Sequence, residues 1–131
     1  MVETGTGNDD WAQVSAFNSI DDSLIATLQP DVDERYLHRL ETDISNALRQ
    51  GEHRTLILDA TPLELIDATD FDRLRRVNDM ARLMGVETII VGLKPGIAAG
   101  LVELDANIEG LVTTLNMETA LEVARRAERR L

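Results

Sequence analysis

TLILDATPLELIDATDFDRLRRVNDMARLMGVETIIVGL, residues 55–93, reads as a strand, a helix and a second strand in direct succession. Thr55-Leu56-Ile57-Leu58 is apolar on consecutive residues. A strand with one wet face would alternate, so this run is expected of a central parallel strand covered on both sides. Phe71, Leu74, Val77, Met80, Ala81 and Met84 recur at spacings of three and four, the stripe of an amphipathic helix, and Gly85 closes it. Val86 to Leu93 is the next strand. Two strands joined through one helix run parallel, with a right-handed crossover.

The same grammar extends in both directions. Upstream, Val32, Tyr36, Leu37, Leu40, Ile44, Ala47 and Leu48 form one buried stripe, with Asp31 or Asp33 as cap and Gly51 as stop. Leu24 to Leu28 is a strand ended by Pro30. Trp11 to Phe17 alternates weakly and is expected as a first strand, with the turn formers Asn18 to Ser23 closing a hairpin. Residues 1–10 are polar and acidic and are expected to be a disordered tail, leaving 11–131 as the domain. Downstream, Lys94-Pro95-Gly96 is a turn; Ile97, Leu101 and Leu104 mark a short helix; Gly110 to Leu115 is a brief strand; and Met117, Leu121, Ala124 and Ala127 line a last helix. The expected order is β-β-α-β-α-β-α-β-α, one α/β domain around a central sheet.

Composition narrows the function. The 131 residues fit one domain. Aromatics are only 3%, so the core is built from Leu, Ile, Val, Ala and Met. There is no cysteine, which excludes disulfides, thiolate catalysis and Cys-based zinc sites. A formal charge of −11 makes nucleic acid and anionic membrane poor partners. No apolar run approaches the ~18 residues of a bilayer span, and the N-terminus has no signal-peptide pattern. A cytoplasmic protein is expected. Twelve arginines stand against a single lysine, Lys94, which fits either a GC-rich coding sequence or a salt-adapted cytoplasm.

A search for chemistry returns little. There is no GxGxxG and no GxxxxGK[ST]; the nearest approach, GLKPG at 92–96, has Pro95 where a backbone donor is needed and no hydroxyl after the lysine. His38 and His53 have no ligand-like spacing to acids and read as solvated surface residues. The serines sit in no nucleophile elbow. Asp70, Asp72, Asp79 and Glu87 read as solvated faces. Arg125, Arg126, Arg129 and Arg130 suit a helix C-terminus, where cations oppose the macrodipole. No catalytic residue, metal site or cofactor is expected, and the chain is not expected to be an enzyme. Asp67 is placed to cap the helix that follows, and such a helix start stabilises a phosphoryl group on a side chain of its first turn.

Motifs in order along the chain carry a resemblance. SLIATLQPDVDE (23–34), LILD (56–59) followed by LID (65–67), MARLMG (80–85), VGLKPGIA with LVEL (91–104) and LNMETALE (115–122) together resemble the STAS family of anti-sigma factor antagonists, and within it the RsbS-type stressosome scaffolds. The likeness covers about residues 12–127. It implies a mixed, mostly parallel sheet flanked by four helices. It implies a protein that binds an RsbT-like switch serine/threonine kinase and RsbR-like STAS sensor paralogues, in a homo- or hetero-oligomer. It implies phosphorylation of a Ser or Thr directly after Asp67. Here that position is Ala68, which has no hydroxyl. Three readings stay open: Thr69 serves instead, the switch is lost, or Ala68 is an engineered block. The expected partner surface is Asp67, Ala68, Thr69, Asp70 and Asp72, with Lys94 and Pro95 on a neighbouring loop. The alternatives are a stand-alone antagonist of one kinase and a nucleotide-binding α/β domain.

Overall fold

The apolar runs at 24–28, 55–58 and 87–91 become strands whose alternate residues enter two different cores. In the computed structural model, which describes residues 16–129, the strands are β1 (Ala16–Ile20), β2 (Ser23–Thr27), β3 (Thr55–Asp59), β4 (Glu87–Val91) and β5 (Val112–Thr114). The helices are α1 (Glu34–Gln50), α2 (Ala68–Leu83), α3 (Pro95–Glu103) and α4 (Met117–Arg129). The sheet follows chain order, β1-β2-β3-β4-β5, antiparallel at β1–β2 and parallel elsewhere.

That order fixes the layers. Successive right-handed crossovers that always step to the next strand put their helices on one face of the sheet. Accordingly Leu24, Ala26, Leu56, Leu58 and Ile90 pack into one core with Leu37, Leu40 and Ile44 of α1, Phe71, Leu74 and Val77 of α2, and Leu101 of α3. The opposite face, Ile25, Ile57, Ile89 and Val91, is covered by Ala120 and Ala124 of α4. Both faces are dry, so β3 and β4 show apolar residues without alternation, as the sequence indicated.

The helix ends follow from local chemistry. Asp33 Oδ1 accepts from the Tyr36 amide at 2.8 Å to cap α1. At the end of α2 the Gly85 amide donates to Arg82 O and the Val86 amide to Ala81 O, the paired bonds of a Schellman turn, with Gly85 at φ +80°.

The sequence reading errs at the hairpin. β1 runs through Asn18, Ser19 and Ile20, which were expected in the turn; the loop is only Asp21-Asp22, closed by the Ile20–Ser23 pair. Asp21 sits at φ 52°, a left-handed conformation that aspartate tolerates. An edge strand that sends Phe17 to one core and Ile20 to the other while Asn18 and Ser19 face solvent shows no two-residue period. The expected tail 1–10 and the segment Trp11 to Ser15 lie outside the described residues. His53 is a second correction. It is half-buried, its Nε2 lies 3.2 Å from Ser19 Oγ, and its ring occupies the space a side chain at Gly51 would need.

Asp43 of α1 is only 5% exposed, and its Oδ2 has no hydrogen-bond partner among the described residues. Burial pushes its carboxyl above the usual aspartate value, while Arg39 pulls the other way. A raised folded-state pKa means the fold prefers the protonated acid. Stability therefore falls as pH rises from about 3.8, and the full penalty stands at neutral pH. Asp43→Asn is expected to raise stability at pH 7 by on the order of 1 kcal/mol. The gain should shrink as pH falls from neutral towards about 3.8 and be absent below it, so thermal melts of both proteins across that range test it; a pH-independent difference would contradict the assignment.

Candidate functional site

All four helices begin at the same rim of the sheet, because every parallel strand delivers its chain to that edge. Ligand and partner sites of open α/β sheets gather there. Here the rim carries the loop between β3 and α2. Leu63 is fully buried and Ile66 is 8% exposed, so the loop is pinned from beneath. The Ala60 amide donates to Val91 O at 2.8 Å and the Glu64 amide to Pro30 O at 2.9 Å. Leu65 forms a parallel bridge with Asp31, and the Thr61 amide donates to Asp59 Oδ1 at 3.0 Å. Nothing about this loop is loose, although it has no regular structure of its own.

The loop delivers the chain to α2 as the sequence indicated. Asp67 is extended (φ −91°, ψ 173°) and its Oδ1 accepts from the Asp70 amide at 2.7 Å. Ala68 is the first helical residue and is half-buried; Thr69 next to it is exposed, as are Asp67 and Asp72. Asp70 is half-buried rather than fully solvated. Partial burial and the neighbouring Asp67 push its carboxyl above the ordinary range; Arg73 opposes the shift, and Asp33 and Glu34 add to it. Arg73 is itself engaged, with its guanidinium 3.1 Å from Glu34 Oε1.

Lys94 and Pro95 lie on the next strand-to-helix corner and both are exposed. The Lys94 ammonium turns back over the loop and donates to the carbonyls of Thr61 and Leu63, each at 2.8 Å. The sequence placed Lys94 near the site but gave no sign of this clamp, because backbone carbonyls leave no trace in residue identity. Between the β2–α1 turn and the start of α2 lies an open cleft of about 420 Å³, walled by Val32, Leu65, Ile66 and Leu104 and edged by Asp31, Asp67 and Asp70. Leu65 is 73% exposed and Leu104 57%. Sequence reasoning missed both as surface residues, since a leucine in an apolar pattern reads as core.

Among the described residues, no group of three or more His, Asp and Glu could hold a metal ion, and no helix is long and apolar enough to cross a membrane. His38 is exposed beside Arg35, Arg39 and Arg73 in a groove between α1 and α2.

Compared with known proteins, residues 15–120 match the sequence profile of the STAS domain. The chain belongs to the STAS family. Its STAS domain is 30% identical over 95 residues to the RsbT co-antagonist protein RsbRD of Bacillus subtilis, covering 70% of this chain and 34% of that protein. The chain thus spans about a third of that relative's length. Among solved structures, a serine-to-glutamate variant of RsbS from Moorella thermoacetica superposes with a TM-score of 0.76 at 21% identity, covering 88% of this chain and 97% of that one. A chain of the stressosome, described as a signal integration and transduction hub, gives 0.75 at 20% identity over 86% and 98%. The STAS fold, a five-stranded mixed sheet with four helices in the order β-β-α-β-α-β-α-β-α, is the one the sequence led us to expect.

Proposed function

We propose that this STAS domain is a stressosome-type scaffold and anti-sigma factor antagonist, which binds a switch serine/threonine kinase and STAS paralogues and performs no chemistry of its own. The observation that carries the reading is the rim platform. A capped helix start, with Thr69, Asp67 and Asp72 exposed, is held rigidly by a clamped loop beside an apolar cleft. A rigid surface needs little ordering on binding, which is what a docking site gains from such bracing. RsbRD is named as a co-antagonist of RsbT, and RsbS and the stressosome share the fold. These likenesses support the reading.

The position that would take phosphate in this reading is Ala68, so the platform is expected to stay in its binding form. Thr69 is turned by about 100° around the helix axis relative to Ala68, away from where a kinase docked on the family's acceptor would deliver phosphate. Incubation of wild type, Thr69→Ala and Ala68→Ser with the cognate kinase and ATP is expected to label Ala68→Ser alone. The new phosphate would add about two negative charges among Asp67, Asp70 and Asp72 and release the kinase. Labelling of wild type that is lost in Thr69→Ala would move the switch to Thr69. Failure of wild type to retain either kinase or paralogue in a pull-down would sink the reading. Retention of the kinase with no binding to sensor paralogues would leave a stand-alone antagonist.

A further inference from the structure

We propose that the cleft at the start of α2 receives the arginine-rich end of α4 from a second copy of this chain. The inference deepens the docking reading of the rim and rests on it.

The cleft has an unusual combination of walls. Leu65 and Leu104 leave apolar surface in water, and Asp31, Asp67 and Asp70 edge it with carboxylates. The nearby cations are already committed. Arg73 pairs with Glu34, and the Lys94 ammonium is held by two loop carbonyls. Partial burial, and after it the neighbouring Asp67, raises the pKa of Asp70. Such a surface calls for a ligand that brings cations on long apolar stems.

Arginine is that side chain. Its methylenes cover leucine while its planar fork meets a carboxylate through two parallel hydrogen bonds. The chain presents arginines in number at the end of α4; a second group, Arg35, Arg39 and Arg73, lies between α1 and α2 with Arg73 already paired to Glu34. Arg125 and Arg126 are exposed on α4, and Arg129 and Arg130 follow in the sequence. Arg126 has only a long contact of 3.8 Å with Glu122, and Arg125 makes no ion pair among the described residues. Within one molecule the sheet separates the two surfaces, since α4 covers the face opposite α1, α2 and α3. The contact must therefore join different copies. Donor and acceptor surfaces differ, so the contact is head-to-tail. Each copy keeps a free cleft or a free helix, and assembly proceeds past the dimer until it closes.

Charge exchange tests this without relying on loss of binding alone. Wild type is expected to associate with rising concentration at low salt, in sedimentation velocity, and to disperse in molar salt. The double variants Asp31→Arg/Asp70→Arg and Arg125→Glu/Arg126→Glu should each weaken association by about tenfold or more, since like charges then face each other. Mixed together they should recover association in alternating order and grow past the dimer, because the first variant's cleft then meets the second's helix and the second's unaltered cleft meets the first's unaltered helix. Circular dichroism of each variant checks that it is folded. A monomeric wild type, unchanged association of Arg125→Glu/Arg126→Glu, or a mixture that stays monomeric would each overturn the proposal. Kinase capture by a monomeric wild type would sink this contact and leave the docking function standing. Assembly as described with no kinase capture would do the reverse.

Discussion

Gly92→Ala is expected to destabilise the domain by about 3 kcal/mol and to disturb the loop that supports the rim site. Gly92 follows β4 at φ +72°, in the left-handed region that costs an L-residue roughly 1–2 kcal/mol. Space is the second problem. A β-carbon there would overlap Thr61 Oγ1 and stand 3.3 Å from Thr61 Cα. Thr61 cannot easily retreat, because its amide is tied to Asp59 Oδ1 and its carbonyl to Lys94 Nζ. Overpacking of this kind adds about 1–3 kcal/mol. The two terms separate in a double variant. Thr61→Gly should restore the steric part in the Gly92→Ala background and leave the conformational part, recovering about half of the lost stability. A fall in Tm of roughly 10 °C or more is expected for the single variant. A loss below about 1 kcal/mol, or one that Thr61→Gly leaves unchanged, would mean the packing has been misjudged.

Gly92 also shows where a sequence reading succeeds and where it stops. GLKPG stood out as the nearest thing to a phosphate loop and was set aside because Pro95 removes a donor and no hydroxyl follows the lysine. The structure gives those residues another use. The glycine makes room for Thr61, and the lysine clamps the same loop from outside. Neither partner could be read from the pattern, because both contacts join segments more than thirty residues apart. The central strands and helices were legible because burial on two faces or one imposes a period on the residues themselves. β1 was ended too early because, among its described residues, an edge strand packs with Phe17 and Ile20 and leaves Asn18 and Ser19 to solvent. Asp67 was legible as a cap, since the acceptor and the amide it holds are three residues apart. The exposed leucines 65 and 104 were not, because the hydrophobic pattern records composition and not the final accessibility of a side chain.

Lys94→Met is expected to lower stability by about 2 kcal/mol and to weaken partner capture at a site the lysine does not directly form. Each of its two bonds joins a charge to a carbonyl, a class worth roughly 1.5–3 kcal/mol. One is open to water and the other half-buried, so the total is less than the sum. Methionine keeps most of the stem and removes the donor. The loop would not unfold, because Leu63 stays buried and the bonds to Pro30 and Val91 remain. It would open more often, and amide exchange across residues 61–66 should quicken more than exchange in β3 or β4. Lys94→Arg should rescue poorly, since a planar guanidinium cannot converge on two carbonyls as a compact ammonium does. The variant also separates two roles. If Lys94 acts as a clamp, thermal stability, loop protection and capture fall together. If it acts as a contact, as its place on the surface first suggested, capture falls while Tm and exchange stay at wild-type values. The two 2.8 Å bonds to carbonyls of its own chain favour the clamp. They leave Asp67, Thr69, Asp72 and the open cleft as the surface a partner would meet.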